Sequence, residues 1–593
     1  MDKITNSLLE SFSDQFELKK FDTATRFEHF CNYSIISKLN RSSFELNDIH
    51  TGSGGDCGID GLLITVNGRI IESIDGFIDF IKECTYLDVD LTFIQAKTSS
   101  SFDNGEMSSF INGIKDFLSD EPQLVQNQKI KEAKELWEAI LTRSDMMHNR
   151  RPICRLYYVT TGTWQDDKNL VALIEQGKSE LLNLSIFESV LFFTYGAQQI
   201  QKLYLETKNK LSTTITFQNR ITLPDIKGIK EAYLGVIPFI EYMKLIQDEN
   251  KTIYNIFYDN VRDFQGENRV NIRIKETLTK EKFDIFSVLN NGVTVVASSL
   301  TPAGNRFSLR DYQVVNGCQT SHVLHSCQNL DGIESVFVPI KIIVTDSDDI
   351  KTDITLATNS QTEVKPEQLE SLSSFQKQLE LYYSTEKSLQ LHYERRSQQY
   401  NSLDIRKTQI ISIPIQIKCF ASMFLNSPHL VNGYYGTIFN RFKNDMFKLQ
   451  HKLIPYYIST LCFYRIEQFA RNVDLDKNFK KFKFHLLMII KTLVIGLENS
   501  PLNSNKIEKD CERLKKILLN EKTNYLLIIF AFQIASLSGV DLNKDRYKTE
   551  SESEMMRLSA EKFVQEFGLI NIDNIESITP QMIKNIFSAK VPV

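Results

Sequence analysis

The spacing of hydrophobic and polar positions changes along the chain and divides it into regions. Residues 1–43 carry apolar positions at helical spacing, among them Phe27, Phe30 and Ile36. Beyond them, short apolar runs typical of strands alternate with helical stretches. The predicted strands cover 62–66, 69–73, 92–97, 153–162 and 188–196, and the predicted helices cover 74–86 and 106–142. Asn67-Gly68 between the first two runs indicates a tight hairpin turn. This order predicts an α/β region.

The pattern changes after the polar stretch TKNKLSTT at 207–214. Residues 215–350 hold several short β-like runs, such as GVTVVASSL and VFVPIKIIVT, whereas the chain from about 365 onward has mostly helical spacing. We therefore predict an α/β N-terminal domain at 1–205, an α+β middle domain at 215–430 and a mostly α C-terminal region at 431–593.

Composition and charge narrow the class of protein. The chain has 593 residues, 42% of them hydrophobic and 24% charged, and a net charge of −5. This balance excludes a general polyanion binder, so contacts with nucleic acid would need local basic patches. The best candidates are HNRR at 148–151 and KNFKKFKFH at 477–485. In the second patch helical spacing also permits an amphipathic interpretation, which we favour, with Phe482 and Leu486 in the core.

The cysteine pattern and the hydropathy bear on location. Nine cysteines are scattered without a C-x-x-C pair, which argues against a disulfide framework or a structural zinc site and suits a reducing cytoplasm. The N-terminus lacks the apolar stretch of a signal peptide. The longest apolar runs, at 526–532 and 486–490, are far shorter than the ~20 residues of a membrane span and are interpreted as buried helices. We expect a cytoplasmic protein without a membrane partner.

Polar residues interrupt two predicted strands in the N-terminal region. Asp60 lies where the glycine-rich segment TGSGGDCGIDG, at 51–61, runs into a strand, and Gln95 and Lys97 lie two apart in FIQAK. Side chains two apart on a strand share a face. If the two strands are antiparallel neighbours, Asp60 comes close to that pair, and Glu28 lies on a helix expected to pack beside the sheet.

This set of side chains suits hydrolysis of a phosphodiester by a bound Mg²⁺ or Mn²⁺. Such cations prefer hard oxygen ligands, lower the pKa of a bound water and neutralise phosphate charge. Asp60 would be the main ligand, with neutral oxygens from Gln95 and the Ala96 carbonyl, and Asp56 would be an accessory ligand. Glu28 would add a carboxylate, either to the cation directly or beside it, and Lys97 would orient water and stabilise developing negative charge.

These residues resemble the PD-(D/E)xK nuclease superfamily, and in particular the Mrr-like restriction endonucleases. The D-x-G-I-D-G of that family matches residues 56–61, and its Q-x-K matches 95–97. The resemblance implies a restriction-endonuclease-like fold with Asp60 as the metal ligand. Glutamine in place of the superfamily's glutamate removes one negative charge, so the affinity for metal should be weaker.

Each of these two motifs also has a purely structural interpretation. D-x-G-x-D-G can be a tight turn, and Gln95 with Lys97 can be the solvent face of an edge strand, where lysine opposes aggregation. For either piece alone we favour that interpretation. The two pieces in the expected order, with Glu28 upstream, favour a nuclease site.

Amide and arginine clusters recur in the middle region. At Asn316-Gly317 a strand gives way to a predicted helix containing Gln319 and Thr320, and a helix start offers unpaired backbone N–H groups to an anion. This succession of a strand, a G-x-Q-T motif at 317–320 and a helix is similar to the one in ParB-like domains. We hypothesise a phosphate or nucleic-acid backbone contact there, with equal weight given to buried amides that satisfy backbone groups. The arginines that could add bidentate phosphate contacts are Arg262, Arg395 and Arg396.

Five motifs in order resemble the AIPR family, named for abortive infection and phage resistance. They are N-V-R at 260–262, N-N-G at 290–292, N-G-x-Q-T at 316–320, T-N-S-Q at 358–361 and Y-E-R-R at 393–396. The resemblance covers about 20 to about 500 and implies a bacterial defence protein.

With the N-terminal motifs, the resemblance predicts a metal-dependent nuclease that acts on nucleic acid, with DNA favoured over RNA. Its trigger would come from phage, and its C-terminal helices could form a homo-oligomer. The alternatives are a catalytically inactive module that binds nucleic acid or a phage protein, and a ribonuclease that arrests growth.

Overall fold

The structure is a computed structural model. It describes all residues except 41–43, 53, 83, 85, 148–150, 209–210, 249–250, 252, 255, 257–268, 281, 348–349, 352, 355–356, 358–373, 396–398, 401–402, 404, 432, 434, 473–481, 499, 541–548 and 589–593. Of the features predicted from the sequence, Arg262, Arg396, T-N-S-Q and most of both basic patches lie outside the described residues.

Helices occur throughout the described residues and dominate the C-terminal part. In chain order they are α1 (Lys3–Gln15), α2 (Thr23–Leu39), α3 (Leu46–Ile49), α4 (Ile74–Ile81), α5 (Asn104–Leu118), α6 (Gln128–Leu141), α7 (Lys168–Asn183), α8 (Ala197–Lys208), α9 (Phe239–Ile246), α10 (Arg269–Thr279), α11 (Phe286–Leu289), α12 (Cys318–Ser326), α13 (Ser374–Thr385), α14 (Ile413–Phe424), α15 (Tyr435–Phe442), α16 (Ile454–Asn472), α17 (Lys483–Val494), α18 (Asn505–Leu519), α19 (Glu521–Leu537), α20 (Glu550–Phe567) and α21 (Pro580–Ser588).

Strands are concentrated before residue 345. They are β1 (Gly61–Val66), β2 (Arg69–Ile70), β3 (Val89–Lys97), β4 (Ile153–Thr160), β5 (Ser189–Tyr195), β6 (Ser212–Thr216), β7 (Asn219–Thr222), β8 (Glu231–Pro238), β9 (Val293–Ala303), β10 (Arg306–Asn316), β11 (Phe337–Val344), β12 (His392–Glu394) and β13 (Ile410–Ser412). The predicted α/β N-terminal region and mostly helical C-terminal region are confirmed. The restriction-endonuclease-like fold and the two boundaries between the three predicted domains stay predictions.

The chain forms two compact units, and each contains segments that are distant in sequence. The first unit consists of 1–11, 22–74 and 83–365. The second consists of 12–21, 75–82 and 366–593. The second unit therefore includes two short segments from the N-terminal part of the chain.

The first sheet of the first unit has the strand order β2-β1-β3-β4-β5. β1 is antiparallel to both β2 and β3, whereas β3, β4 and β5 run parallel. Phe93 of β3 packs edge-on against Phe117 of α5, so α5 covers the face that also carries Gln95 and Lys97. Gly61 faces Asn32 of α2, which places α2 on the other face. The sheet thus lies between helices.

The predicted hairpin is confirmed between β1 and β2. Val66 pairs with Arg69 across a two-residue turn, and both turn residues have positive φ, 52° at Asn67 and 74° at Gly68. Asparagine and glycine are the residues that tolerate this conformation, which matches the right-handed twist of the strands. The tight turn brings the chain straight back along β1.

The second sheet of the first unit has the order β6-β10-β9-β11-β8-β7 and is antiparallel except between β9 and β11. One face buries a large apolar cluster that includes Phe239, Tyr242, Val295 and Leu324. This cluster holds α9 and α12 against the strands.

The helical core of the second unit is built around α17, in which residues 485–494 are all buried. Phe482 and Leu486 are fully buried, which confirms the amphipathic interpretation for these two positions. The two longest apolar runs lie in α17 and α19, as predicted. None of the described helices combines the length and hydropathy needed to cross a membrane. All nine cysteines are described and none forms a disulfide.

Candidate active site at the start of the first sheet

Asp60 lies immediately before β1 and is held on three sides. Its backbone N–H donates to the Ile94 carbonyl at 2.9 Å, and its own carbonyl accepts from the Asn32 amide at 3.0 Å. Its side-chain Oδ2 accepts from the Ala96 N–H at 2.8 Å. The carboxylate is therefore fixed beside the end of β3, and only 6% of the residue is exposed.

Electrostatics make this carboxylate unfavourable in its ionised form. Burial raises the pKa of Asp60 from 3.8 to about 7, and the neighbouring Glu28 carboxylate is the next largest cause. The Ala96 N–H and the Lys97 ammonium act in the opposite direction on this pKa. A strongly perturbed carboxyl beside a second acid is a frequent feature of functional sites, because a bound cation would relieve both effects.

Gln95 supplies a second unusual feature, a buried side-chain oxygen. The residue is 2% exposed, and no described residue gives a hydrogen bond to its Oε1 atom. Its Nε2 atom lies under the glycine-rich turn, 3.2 Å from where a Cβ on Gly58 would be. Because buried polar atoms are nearly always paired, this oxygen is a candidate ligand atom.

Lys97 ends β3 two residues after Gln95, on the same face, and is half-buried. In the described part of the chain its ammonium forms no ion pair, although it is close enough to lower the pKa of Asp60. In the parallel register it lies beside Thr160 of β4. The face is therefore not a solvent-exposed edge, since β3 lies between β1 and β4.

Glu28 reaches the same region from α2. Its Oε2 atom lies 2.8 Å from Nε2 of His50, and burial together with Asp60 and Glu28 raises the pKa of the Cys31 thiol. Asp56 is engaged differently, because its Oδ1 accepts from the Gly58 N–H at 2.8 Å and closes the turn. The structure thus gathers Glu28, Asp60, Gln95 and Lys97, while Asp56 forms part of the supporting turn.

The turn is positioned by close contacts with helices on both faces. A Cβ on Gly113 of α5 would lie 1.8 Å from the Cys57 carbonyl oxygen, so only glycine permits this approach. A Cβ on Gly61 would meet the Asn32 amide at 2.3–2.8 Å. The two glycines let α5 and α2 approach the residues on either side of Asp60.

The site also contains His50 and Asn32, which the sequence analysis did not identify. Asn32 follows Glu28 by four residues on α2, so helical spacing could have identified it. His50 has no such signal, because its approach to Glu28 depends on an isolated bridge between His50 and Gly61. It joins the site through tertiary structure alone.

The donor atoms available here are compatible with a hard divalent cation. They comprise two carboxylates, the Gln95 oxygen and the Ala96 carbonyl, which points to the same edge of β3 as the Ala96 N–H. Among the described residues, however, no group of three His, Cys, Asp or Glu side chains is placed to hold a metal. Any cation would therefore depend on the amide and backbone oxygens as well.

The residues predicted to contact phosphate in the middle region are buried or partly buried. Gly317 has a φ of 103° and precedes α12, as expected for a strand-to-helix junction. Gln319 and Thr320 are buried, and the Asn271 amide donates to Gln319 Oε1 at 2.6 Å. Asn316 ends β10. Gln319 thus has an internal side-chain partner in Asn271, and the phosphate contact stays a prediction.

Arg395 belongs to the second unit, not to the unit that contains Gln319. Its guanidinium Nε lies 2.5 Å from the Glu380 carboxylate, and the backbone N–H of Arg395 donates to the side-chain oxygen of Gln399. The side chain therefore already has an acidic partner.

Comparison with known families identifies one region. Residues 257–539 match the family model described as AIPR protein, and all five motifs noted in the sequence lie within this range. No curated protein and no solved structure matches the chain. The match begins after the first sheet, so the Mrr-like assignment of the N-terminal part stays a prediction.

Proposed function

We propose that this chain, whose residues 257–539 match the AIPR family model, is a metal-dependent nuclease of anti-phage defence with its active site at Asp60. The observation that carries the proposal is the buried Asp60 carboxylate, held by the Ala96 N–H next to Gln95 and Lys97, with Glu28 close enough to raise its pKa. The antiparallel pairing of β1 with β3 also supports the proposal, because it brings Asp60 beside the strand end that carries Gln95 and Lys97.

The residues have separate roles in this proposal. Asp60, Glu28, the Gln95 amide oxygen and the Ala96 carbonyl would hold Mg²⁺ or Mn²⁺, which when bound supplies charge neutralisation and activation of water. The Lys97 ammonium would bind the scissile phosphate and stabilise the negative charge that develops there. Asp56 would keep the turn closed through its bond to the Gly58 N–H. The Mrr-like resemblance favours DNA as the substrate.

The test uses purified full-length wild type, Asp60→Ala and Lys97→Ala. Each is incubated with plasmid, phage DNA and total RNA in Mg²⁺, Mn²⁺ or EDTA. Lys115→Ala, on the same unit but paired with Glu180, serves as the matched lysine control. Cleavage by wild type and the control that is lost in EDTA and in both site variants is the expected result. The polymer that is cut decides between DNA and RNA.

A second candidate function is a binding module that sequesters nucleic acid or a phage protein without cutting. The observation that favours it is the absence, within the described ranges, of a three-residue His, Cys, Asp or Glu cluster. Plaque assays on cells that express wild type or Asp60→Ala separate the two candidates. A variant that still protects cells would refute the nuclease and support the binding module.

A further inference from the structure

His50 connects two of the residues assigned to the metal site. Its backbone pairs with Gly61, the residue directly after Asp60, in an antiparallel bridge. Its side chain reaches α2, where Nε2 lies 2.8 Å from Oε2 of Glu28. One residue therefore contacts both the strand start that presents Asp60 and the helix that presents Glu28.

The position of His50 is fixed by its surroundings. Its N–H donates to the Leu46 carbonyl and closes the short helix α3. The adjacent Thr51 continues the pairing, with its N–H directed to the Asp60 carbonyl at 3.4 Å. The His50 ring packs on the ring of buried His29, with centroids 4.2 Å apart. The imidazole thus has little freedom to turn away from Glu28.

The direction of the hydrogen bond depends on the tautomer of His50. When Nε2 carries the hydrogen, it donates to Glu28 Oε2, because a carboxylate oxygen can only accept. Within the described residues this is the single side-chain hydrogen bond of Glu28. The bond occupies one carboxylate oxygen and leaves Oε1 for another ligand. The Glu28 side chain is only partly exposed, so water competes weakly with the imidazole.

We infer that His50 is a positioning residue, which orients the Glu28 carboxylate toward the cation site that it shares with Asp60. This inference rests on the proposed function, because it assigns His50 a role only if Glu28 holds a divalent cation. Groups that hydrogen-bond to metal ligands fix the ligand's orientation, and their loss typically lowers metal affinity about 10–100-fold.

The experiment measures Mn²⁺ binding to metal-free, full-length protein by isothermal titration calorimetry. The variants are His50→Ala, His50→Gln, His50→Asn, Glu28→Gln, Asp60→Asn and the double variant Glu28→Gln/His50→Ala. Gln places an amide nitrogen near the position of Nε2, whereas Asn places one nearer Nδ1. His325→Ala is the control, because His325 is a half-buried histidine of the same unit whose Nε2 lies 2.8 Å from the Lys251 carbonyl rather than from a carboxylate.

The expected result is a loss of Mn²⁺ affinity of about 10–100-fold in His50→Ala and His50→Asn, with His50→Gln close to wild type. The double variant should bind no more weakly than Glu28→Gln alone, because His50 acts through Glu28. Unfolding in EDTA, followed by tryptophan fluorescence, identifies any variant that fails to fold. The Gln and Asn variants provide the comparison if the alanine variant does not fold.

Three results would overturn the inference, and they differ in what they leave standing. Wild-type affinity in both His50→Ala and His50→Asn, with binding lost in Asp60→Asn, removes the role of His50 and leaves the proposed metal site. Additive losses in the double variant show that His50 does not act through Glu28. No Mn²⁺ binding by wild type overturns the proposed metal site together with this inference.

Discussion

Asp60→Asn is expected to stabilise the metal-free protein, although it removes the residue assigned the main role in the site. Displacement of the Asp60 pKa from 3.8 to about 7 means that the ionised carboxylate destabilises the folded state. Since one pKa unit corresponds to about 1.4 kcal/mol, the full effect is about 4 kcal/mol above pH 7. Asparagine carries no charge, and its side-chain oxygen can still accept from the Ala96 N–H.

The sign of the pH dependence follows from proton binding. Between pH 3.8 and about 7 the folded protein keeps the Asp60 proton that the unfolded chain has lost. Stability of the wild type therefore falls as the pH rises through this window, by about 2–3 kcal/mol between pH 5 and pH 8. The advantage of Asp60→Asn over wild type should grow by the same amount.

Urea unfolding in EDTA, followed by tryptophan fluorescence, measures this difference. The chain has two tryptophans, Trp137 and Trp164, and both lie in the first unit with Asp60. Asp120→Asn, at an exposed position, is the control. Its free energy of unfolding should show no pH-dependent difference from that of wild type. An Asp60→Asn protein that is less stable than wild type at pH 8, or equally shifted at pH 5 and pH 8, would refute the electrostatic argument.

Three further predictions test other contacts. Gly113→Ala should destabilise the first unit by about 1–3 kcal/mol and weaken Mn²⁺ binding, because the new Cβ would displace the Cys57 carbonyl. Urea unfolding measures the change in stability, and isothermal titration calorimetry measures the change in Mn²⁺ affinity. Gly68→Ala, with positive φ but open space, should cost about 1–2 kcal/mol and leave Mn²⁺ affinity unchanged. Burial lowers the pKa of Lys491 from 10.5 to about 8, so Lys491→Met should gain up to about 3 kcal/mol at pH 7. Wild-type stability should rise between pH 8 and pH 10.5, and that rise should be absent in the variant, as thermal melts by circular dichroism can measure.

Local signals were sufficient to predict much of the fold. The Asn67-Gly68 turn, the strand around Gln95 and the helix after Gly317 all appear where the sequence indicated. These features depend on turn chemistry and on side-chain period, which act over a few residues. Their prediction needs no knowledge of distant contacts.

The candidate site was only partly predictable, because its remaining features depend on tertiary structure. The neighbours of Asp60 could be expected from strand order, but the buried Gln95 oxygen and the approach of His50 could not. The same limit applies to Arg395, whose pairing with Glu380 joins a helix to the residue directly after a later strand. Partners of this kind are set by packing, which leaves no local pattern in the sequence.

The composition of the second unit has a consequence for synthesis of the chain. Residues 12–21 and 75–82 belong to that unit, where Glu17 pairs with Arg471 at 2.8 Å. The ribosome makes these two segments several hundred residues before their partners, and a nascent chain folds in the order in which complete units emerge. Phe12 and Phe80, which lie in these segments and are buried in the folded protein, are therefore translated long before most of the second unit. A cut at either predicted domain boundary would separate these segments from residues 431–593 of the second unit. A continuous piece that contains the whole second unit must therefore also include all of the first unit except residues 1–11.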